Sequence, residues 1–148
     1  HLPLGTLQMG AGDEPYLYHG WYWPEQVGAD RVRRARQVAS LVGTLPQGAS
    51  RLRLALQPAP ETSTLTILAR RWQDGSWVDQ AACTCRVAAA PKDGLVRAEF
   101  PMGLPPGDYH LILRADAAPV EAGFFPRQAS YALANLTVEP DPSRRGEP

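Results

Sequence analysis

The chain has 148 residues, which is enough for one domain with a single hydrophobic core. Its 15 basic and 15 acidic residues balance, so no net charge draws it to nucleic acid or to anionic lipid. No apolar run reaches the roughly 18–20 residues that span a bilayer, and no basic-then-apolar signal segment is present.

Lys92 is the only lysine among the basic residues, and Ala, Pro and Gly are abundant. This composition indicates a bacterial protein. Because the chain begins at His1 and not at Met, we interpret it as a mature or excised piece. The sequence therefore leaves open whether a signal peptide or a membrane-anchored region precedes His1.

Residues 1–16 are rich in Gly and Pro and predict an extended N-terminal arm. Residues 17–23, Leu-Tyr-His-Gly-Trp-Tyr-Trp, predict the first strand, because aromatic residues favour strands. With a period of two, one side of this strand carries Leu17, His19, Trp21 and Trp23, and the other carries Tyr18, Gly20 and Tyr22. We predict that residues 24–30 form a loop.

A dense positive run follows, formed by Arg31, Arg33, Arg34 and Arg36. A helix over residues 29–41 and a strand both fit this region, and we favour the strand because clear strands come next. Arginine clusters can contact phosphates. With no net charge on the chain, a solvated or ion-paired face on an edge strand is the better interpretation, so we predict no binding of nucleic acid.

The central part of the chain alternates between apolar and polar residues. Leu52, Leu54 and Leu56 should face inward in one strand, and Leu65, Ile67 and Ala69 in the next. Asp74-Gly75 predicts a two-residue hairpin turn that places Trp72 opposite Trp77. Further strands are predicted near residues 77–87, 95–100, 108–114 and 131–138, the third with Tyr109, Leu111 and Leu113 buried.

Seven or eight short strands, each bounded by Pro or Gly, predict an all-β fold, namely an antiparallel β-sandwich of jelly-roll or immunoglobulin-like type. We expect three parts: an extended arm at 1–16, the sandwich domain at 17–139 and a disordered tail at 140–148. The loop at 119–127 should contain the apolar pair Phe124–Phe125.

Cys83 and Cys85 would lie on one face of a strand, with Cα atoms about 6.5–7 Å apart. We interpret them as two small buried thiols, with a strained local disulfide as the alternative. No other Cys exists and no His lies nearby in the sequence, so we predict no metal site.

No nucleophile elbow, phosphate loop or dinucleotide fingerprint occurs, so we predict no cofactor, no catalytic residue and no enzyme. The candidate ligand-binding residues are His19, Trp21, Tyr22, Trp23 and Glu25, since exposed rings can stack on the C–H faces of sugars. Core packing or hairpin pairing is the alternative role for the four Trp residues. A small hydrolase that uses Glu25 with a second acid is a weaker possibility.

Short motifs of this sequence resemble those of the extracytoplasmic β-sandwich modules appended to bacterial membrane glycosyltransferases. They are Gly20-Trp-Tyr-Trp-Pro-Glu25, Arg33, Leu41 to Pro46 and Phe124-Phe-Pro126. The sequence departs from that pattern at Arg34, where those modules have Trp. The resemblance implies an accessory, sugar-related or interaction role outside the cytoplasm, in the periplasm or at the cell surface, and no active site on this chain.

Two functions therefore stand as hypotheses. The first is a non-catalytic β-sandwich that binds carbohydrate or positions a partner glycan enzyme. The second is a structural or assembly subunit of a surface or membrane-associated complex, held by protein–protein contacts. Its motivation is the arm at 1–16, which looks too polar to pack alone but could wrap a neighbouring protein.

Overall fold

The computed structural model describes residues 1–90, 94–117, 120–121 and 128–141. Within them lie eight long strands: β2 (Leu17–Val27), β3 (Asp30–Leu45), β4 (Ala49–Pro58), β5 (Thr64–Gln73), β6 (Ser76–Arg86), β7 (Val96–Leu104), β8 (Gly107–Ala115) and β11 (Tyr131–Glu139). Three short strands add to these, β1 (Thr6–Gln8), β9 (Val120–Glu121) and β10 (Gln128–Ala129), together with one 3-10 turn, Glu14–Tyr16.

Nine strands form one antiparallel sheet in the order β6-β5-β8-β3-β11-β4-β7, with β2 paired to β3 and β1 paired to β11. The long strand β3 changes partners along its length. Arg33 to Ala35 pair with β11, whereas Val38 to Leu45 pair with β8. The sheet therefore folds over at β3 into two layers, and the chain crosses between the layers repeatedly, as in a jelly roll.

Both layers contribute to one core. Leu65, Ile67, Leu111 and Leu113 come from the first layer, and Leu52, Leu54, Phe100 and Leu133 come from the second. At the far edges of the sheet, the Cys85 thiol of β6 donates to the Glu99 carbonyl of β7, so the two layers nearly close into a barrel. The predicted all-β sandwich is confirmed.

Local patterns predicted the central strands correctly. The inward faces of β4, β5 and β8 are buried as expected, and Gln73 pairs with Ser76 and Trp72 with Trp77 in the hairpin. Asp74 and Gly75 have φ of 50° and 84°, the positive values that a type I′ turn requires. The predicted turn at 91–94 and the Phe124–Phe125 loop lie largely outside the described residues.

The favoured prediction of a strand for the Arg run is confirmed, but its placement at an edge of the sheet is wrong. The run lies on a strand, so the helix alternative at 29–41 is wrong, and alternate residues from Ala35 to Leu45 are largely buried. However, β3 is an interior strand, paired with β2 on one side and with β11 and β8 on the other, and not an edge strand. The pairing energy of three neighbouring strands outweighs the helix preference of Ala, Arg and Gln.

The prediction of a loop at 24–30 is also wrong. Strand β2 continues through Pro24 to Val27, and a two-residue turn at Gly28 and Ala29 leads directly into β3. Pro24 is tolerated because the described part of β2 pairs with β3 alone and the register shifts just before it, and proline is found on such edge strands and at bulges.

The N-terminal arm packs on its own domain. Leu4, Leu7 and Met9 are buried in the core, and β1 pairs with β11. This contradicts the interpretation that the arm is too polar to pack alone, and it removes the observation that motivated an assembly subunit. The bounds of the arm, domain and tail stay a prediction, and most of the tail lies outside the described residues.

Candidate functional site

Strand β2 carries the aromatic residues, and it does not alternate as a regular strand would. Its register against β3 shifts three times between Leu17 and Pro24. Gly20 has a φ of 88°, and a Cβ there would lie 2.3 Å from the Val38 carbonyl oxygen. The strand therefore bulges close to β3, so the predicted alternation of its side chains fails.

Trp21 is anchored in the protein. Its Nε1–H donates to the Ser40 carbonyl oxygen at 2.9 Å, and its ring meets the buried Tyr131 ring edge-on at 6.4 Å. The indole is half-buried against the core, which agrees with the packing role considered for it. Trp21 therefore fixes the position of β2 and leaves only part of its ring to solvent.

Trp23 has the opposite environment, with 76% of its surface exposed. Beside it, the half-buried Tyr22 ring lies under the Arg36 guanidinium, whose Cζ is 5.9 Å from the ring centroid. An exposed indole next to a ring held by a cation offers a rigid apolar surface.

These rings line an open groove of about 750 Å³, which falls within the range of small-ligand sites. The groove is lined by Glu14, Leu17, His19, Gly20, Trp21, Tyr22, Trp23, Arg33 and Arg36. Four of the five candidate residues, His19 and the three rings, thus share one surface. We call it the aromatic groove.

A buried ion pair supports the groove. Arg33 Nε donates to Asp13 Oδ2 at 2.6 Å and Nη2 to Oδ1 at 3.2 Å, while Nη1 donates to the Tyr22 carbonyl oxygen at 3.1 Å. Burial raises the pKa of Asp13, but hydrogen bonds from Arg33 and Gly10 and the Arg33 charge outweigh it, so the pKa lies below its usual value. The pair connects the N-terminal arm, β2 and β3.

Glu25, the fifth candidate, does not line the groove. Its Oε1 accepts from Arg34 Nε at 2.5 Å, and both side chains are mostly buried. The residue at which the sequence departs from the glycosyltransferase-module pattern therefore neutralises Glu25. This ion pair holds the Glu25 carboxylate, which does not favour the role of Glu25 as an acid of a small hydrolase.

A second group of rings lies on β2, β5, β6 and β8 and at the N-terminus, and we call it the aromatic patch. It consists of Tyr18, His110, Trp77, Trp72 and His1, with neighbouring ring centroids 5.1 to 5.9 Å apart. Tyr18 is 70% and Trp72 45% exposed. Burial, then the charge of Arg70, lowers the pKa of His110, so this ring is neutral at pH 7.

The sequence did not predict that Asp13 pairs with Arg33, that Glu14 and Arg36 line the groove, or that Tyr18, His110 and His1 join the predicted Trp72–Trp77 pair in one patch. Asp13 is 20 residues from Arg33, and Tyr18 is 92 residues from His110. No local pattern marks such partners, because the pairing of β2 with β3 and of β3 with β8 brings them together. The only sequence signal for these partners was the charge of the Arg run, which indicated that carboxylates would lie near it.

Cys83 and Cys85 are half-buried free thiols in the structure. Burial, followed by the nearby Cys83, raises the pKa of the Cys85 thiol. The local disulfide stays a prediction. Among the residues that the structure describes, no three metal-ligating side chains cluster, and no helix has the length and apolar character to cross a membrane.

No protein-family model matches the chain, and no curated protein matches it. Solved structures do match. A family 6 carbohydrate-binding module from Clostridium stercorarium, in complex with cellobiose, has a TM-score of 0.57 at 10% identity, over 95% of this chain and 98% of that one. A β-1,3-glucan-binding family 6 module from Bacillus halodurans has a TM-score of 0.58 at 12% identity, over 94% and 99%.

A third match is part of an enzyme. A family 43 arabinoxylan arabinofuranohydrolase from Bacillus subtilis, in complex with cellotetraose, has a TM-score of 0.58 at 10% identity, over 94% of this chain and 28% of that one. Identities this low show a shared fold. The chain has the β-sandwich fold of these carbohydrate-binding modules.

Proposed function

We propose that this chain is a non-catalytic carbohydrate-binding domain and that sugars bind in the aromatic groove. The observation that carries the proposal is Trp23, a large indole held in solvent beside Tyr22. Exposing so much apolar surface has a cost that a ligand would recover. A sugar ring fits such a surface, because its C–H face can stack on an indole while its hydroxyls bond to polar neighbours.

The polar neighbours are present on the same wall. His19, Glu14 and Arg36 supply hydrogen-bond donors and acceptors around the rings, which is the composition expected of a specific small-ligand site. The titles of the matching structures name sugars, namely cellobiose for one module and β-1,3-glucan for another. This supports a sugar as the ligand of the present chain.

The groove is not built for glycoside hydrolysis. Of the described residues that line it, Glu14 is the only carboxylic acid, whereas both common hydrolytic mechanisms use two carboxyl groups about 5–10 Å apart. A role in binding therefore suits the groove better than a role in catalysis.

An accessory role beside a glycan enzyme is a finer part of the proposal. The matching region forms 28% of the arabinofuranohydrolase chain, so this fold occurs next to a catalytic unit. The resemblance of Gly20 to Glu25 to modules of bacterial membrane glycosyltransferases supports a location outside the cytoplasm. Expression of the full-length gene product, followed by cell fractionation, would test that location.

Titration with a panel of neutral and acidic glycans, followed by Trp fluorescence and calorimetry, tests the proposal. We expect at least one glycan to bind, and Trp23→Ala to weaken its binding by about tenfold or more, the loss of one well-placed aromatic contact. Trp72→Ala is the matched control, because Trp72 is also exposed but lies in the aromatic patch.

Each outcome has a distinct meaning. Loss of binding in Trp23→Ala with retention in Trp72→Ala supports the aromatic groove. The reverse pattern would move the site to the aromatic patch and reject the groove. No binding by any glycan would reject the function, and the assembly-subunit alternative would then be tested by size measurement and partner pull-down.

A further inference from the structure

Arg36 has a different role from its neighbours in the Arg run. Arg33 is held by Asp13 and Arg34 by Glu25, so the charges of both are matched within the fold. Arg36 lines the aromatic groove and is exposed, and its contact is with the Tyr22 ring. In the described part of the chain, no carboxylate lies within ion-pair distance of it.

The other charged groups of the groove do not form an ion pair with Arg36 among the described residues. Glu14 Oε1 is 3.9 Å from Arg33 Nη2, so the carboxylates of Asp13 and Glu14 both lie against the same guanidinium. His19 carries no negative charge in either protonation state. Among the described residues that line the groove, Arg36 is therefore the cation that has no carboxylate within ion-pair distance.

The position of Arg36 over the Tyr22 ring suits the binding of an anion, with the guanidinium Cζ 5.9 Å from the ring centroid. A guanidinium in contact with an aromatic ring can still donate from its N–H groups to an acceptor beside the ring. Two parallel N–H groups match the two oxygens of a carboxylate.

We infer that the aromatic groove is specific for acidic glycans, with Arg36 binding the carboxylate of a uronic acid residue while the sugar face packs on Trp23. The inference rests on the proposed function of the groove. It names Arg36 as the residue that determines specificity, and it places the charged group of the ligand on the Tyr22 side of the groove.

The test uses glycans in matched pairs, so that charge changes while the backbone does not. Suitable pairs are β-1,4-glucan and β-1,4-glucuronan oligosaccharides, xylan and glucuronoxylan, and methyl-esterified and free polygalacturonate. We expect the acidic member of at least one pair to bind about tenfold or more tightly than the neutral member, as one bidentate charge-assisted contact implies. Its affinity should fall as NaCl is raised from 50 to 500 mM.

Variants separate the guanidinium from general charge effects. Arg36→Gln should weaken the acidic glycan about tenfold and the neutral one less than about threefold, and Arg36→Lys should be intermediate because Lys lacks the planar fork. Arg31→Gln is the matched control, since it removes one exposed charge from the same run outside the groove. It should change either affinity less than twofold, within the small effect expected of an exposed charge.

Dextran sulfate distinguishes a carboxylate site from simple attraction of polyanions. Binding of dextran sulfate as tight as that of the uronic acid glycan would overturn the inference, and so would equal effects of Arg36→Gln and Arg31→Gln. Neutral glycans that bind better than every acidic partner would reject the inference and leave the proposed function intact. Absence of binding by all glycans would reject both.

Discussion

At the scale of single residues, exposure separates two Trp residues that look equivalent in the sequence. Trp21 is tied to the Ser40 carbonyl oxygen and to the Tyr131 ring, whereas Trp23, two positions later, is 76% exposed. The difference accompanies the register shift between Trp21 and Pro24, where three steps along β2 match only two along β3, from Ala35 to Arg33. A period-of-two pattern could not predict this shift, because it depends on how β2 pairs with another strand.

The Asp13–Arg33 pair is the residue-scale feature whose loss should be most costly. Asp13 is 1% exposed, so Asp13→Ala leaves the Arg33 charge buried without its partner. We expect the free energy of unfolding in urea to fall by about 3 kcal/mol. Glu14→Ala is the control, since Glu14 lies 3.9 Å from the same arginine but its side chain is 77% exposed. It should change stability by less than about 0.5 kcal/mol.

The pH dependence of the same variants gives an independent check. The pKa of Asp13 is lower in the folded chain than its ordinary value of 3.8, so its contribution is present above that value and is lost as pH falls through the folded pKa. Asp13→Ala should therefore lose less stability than the wild type between pH 5 and pH 3. Asp116, whose pKa is lowered to about 2 by Ser63 and Thr64, remains in both proteins. Identical acid profiles would contradict an ionised Asp13–Arg33 pair.

At the scale of elements, strands were predicted well where a turn dipeptide or an alternating apolar pattern marks them in the nearby sequence. Asp74-Gly75 and the alternating leucines of β4 needed no long-range information. The prediction failed at 24–30 and left 29–41 open because β3 is defined by its partners. Its N-terminal part pairs with β11 and its C-terminal part with β8, and both lie more than 60 residues away in the sequence.

The bulge in β2 can be tested by a series of glycine substitutions. Gly103→Ala should be almost neutral, because no atom lies within 4 Å of the new Cβ and φ is not positive. Gly75→Ala adds only the strain of a φ of 84° and should cost about 1 kcal/mol. Gly20→Ala adds the same kind of strain and an overlap with the Val38 carbonyl oxygen, so it should cost about 3 kcal/mol.

Thermal and urea unfolding of the three variants would measure this order. Equal losses for Gly75→Ala and Gly20→Ala would show that β2 does not approach β3 as closely as the structure indicates. We also expect the folded molecules of Gly20→Ala to bind glycans more weakly than the wild type. The reason is that the bulge sets the position of Tyr22 and Trp23 relative to the groove.

At the scale of the whole molecule, the fold class followed from strand count and spacing, because hydrophobic alternation is a property of the local sequence. The placement of the arm did not follow. Leu4, Leu7 and Met9 are too few and too widely spaced to predict burial, yet they complete the core above β3 and β11. The same pairing brings Asp13 to Arg33 and so connects the arm to the aromatic groove.

The molecule presents two surfaces that carry aromatic rings, and we propose that sugars bind in the aromatic groove and not on the aromatic patch. The groove combines the exposed indole of Trp23 with the Arg36 guanidinium, whereas the patch rings contact one another. Within the patch, Trp72 and Trp77 form the pair that closes the β5–β6 hairpin. A structural role in the hairpin is therefore sufficient for two of the patch rings.

The most direct test of sugar binding in the aromatic groove follows the four indole N–H signals by ¹H–¹⁵N NMR while the glycan panel is added. Trp21, Trp23, Trp72 and Trp77 are the only Trp residues, so each signal can be assigned by a single substitution. We predict that a bound glycan shifts the Trp23 signal most, with a smaller shift at Trp21 and none at Trp72 or Trp77. A glycan that shifts only the Trp72 and Trp77 signals, or a panel that shifts no signal, would contradict sugar binding in the aromatic groove.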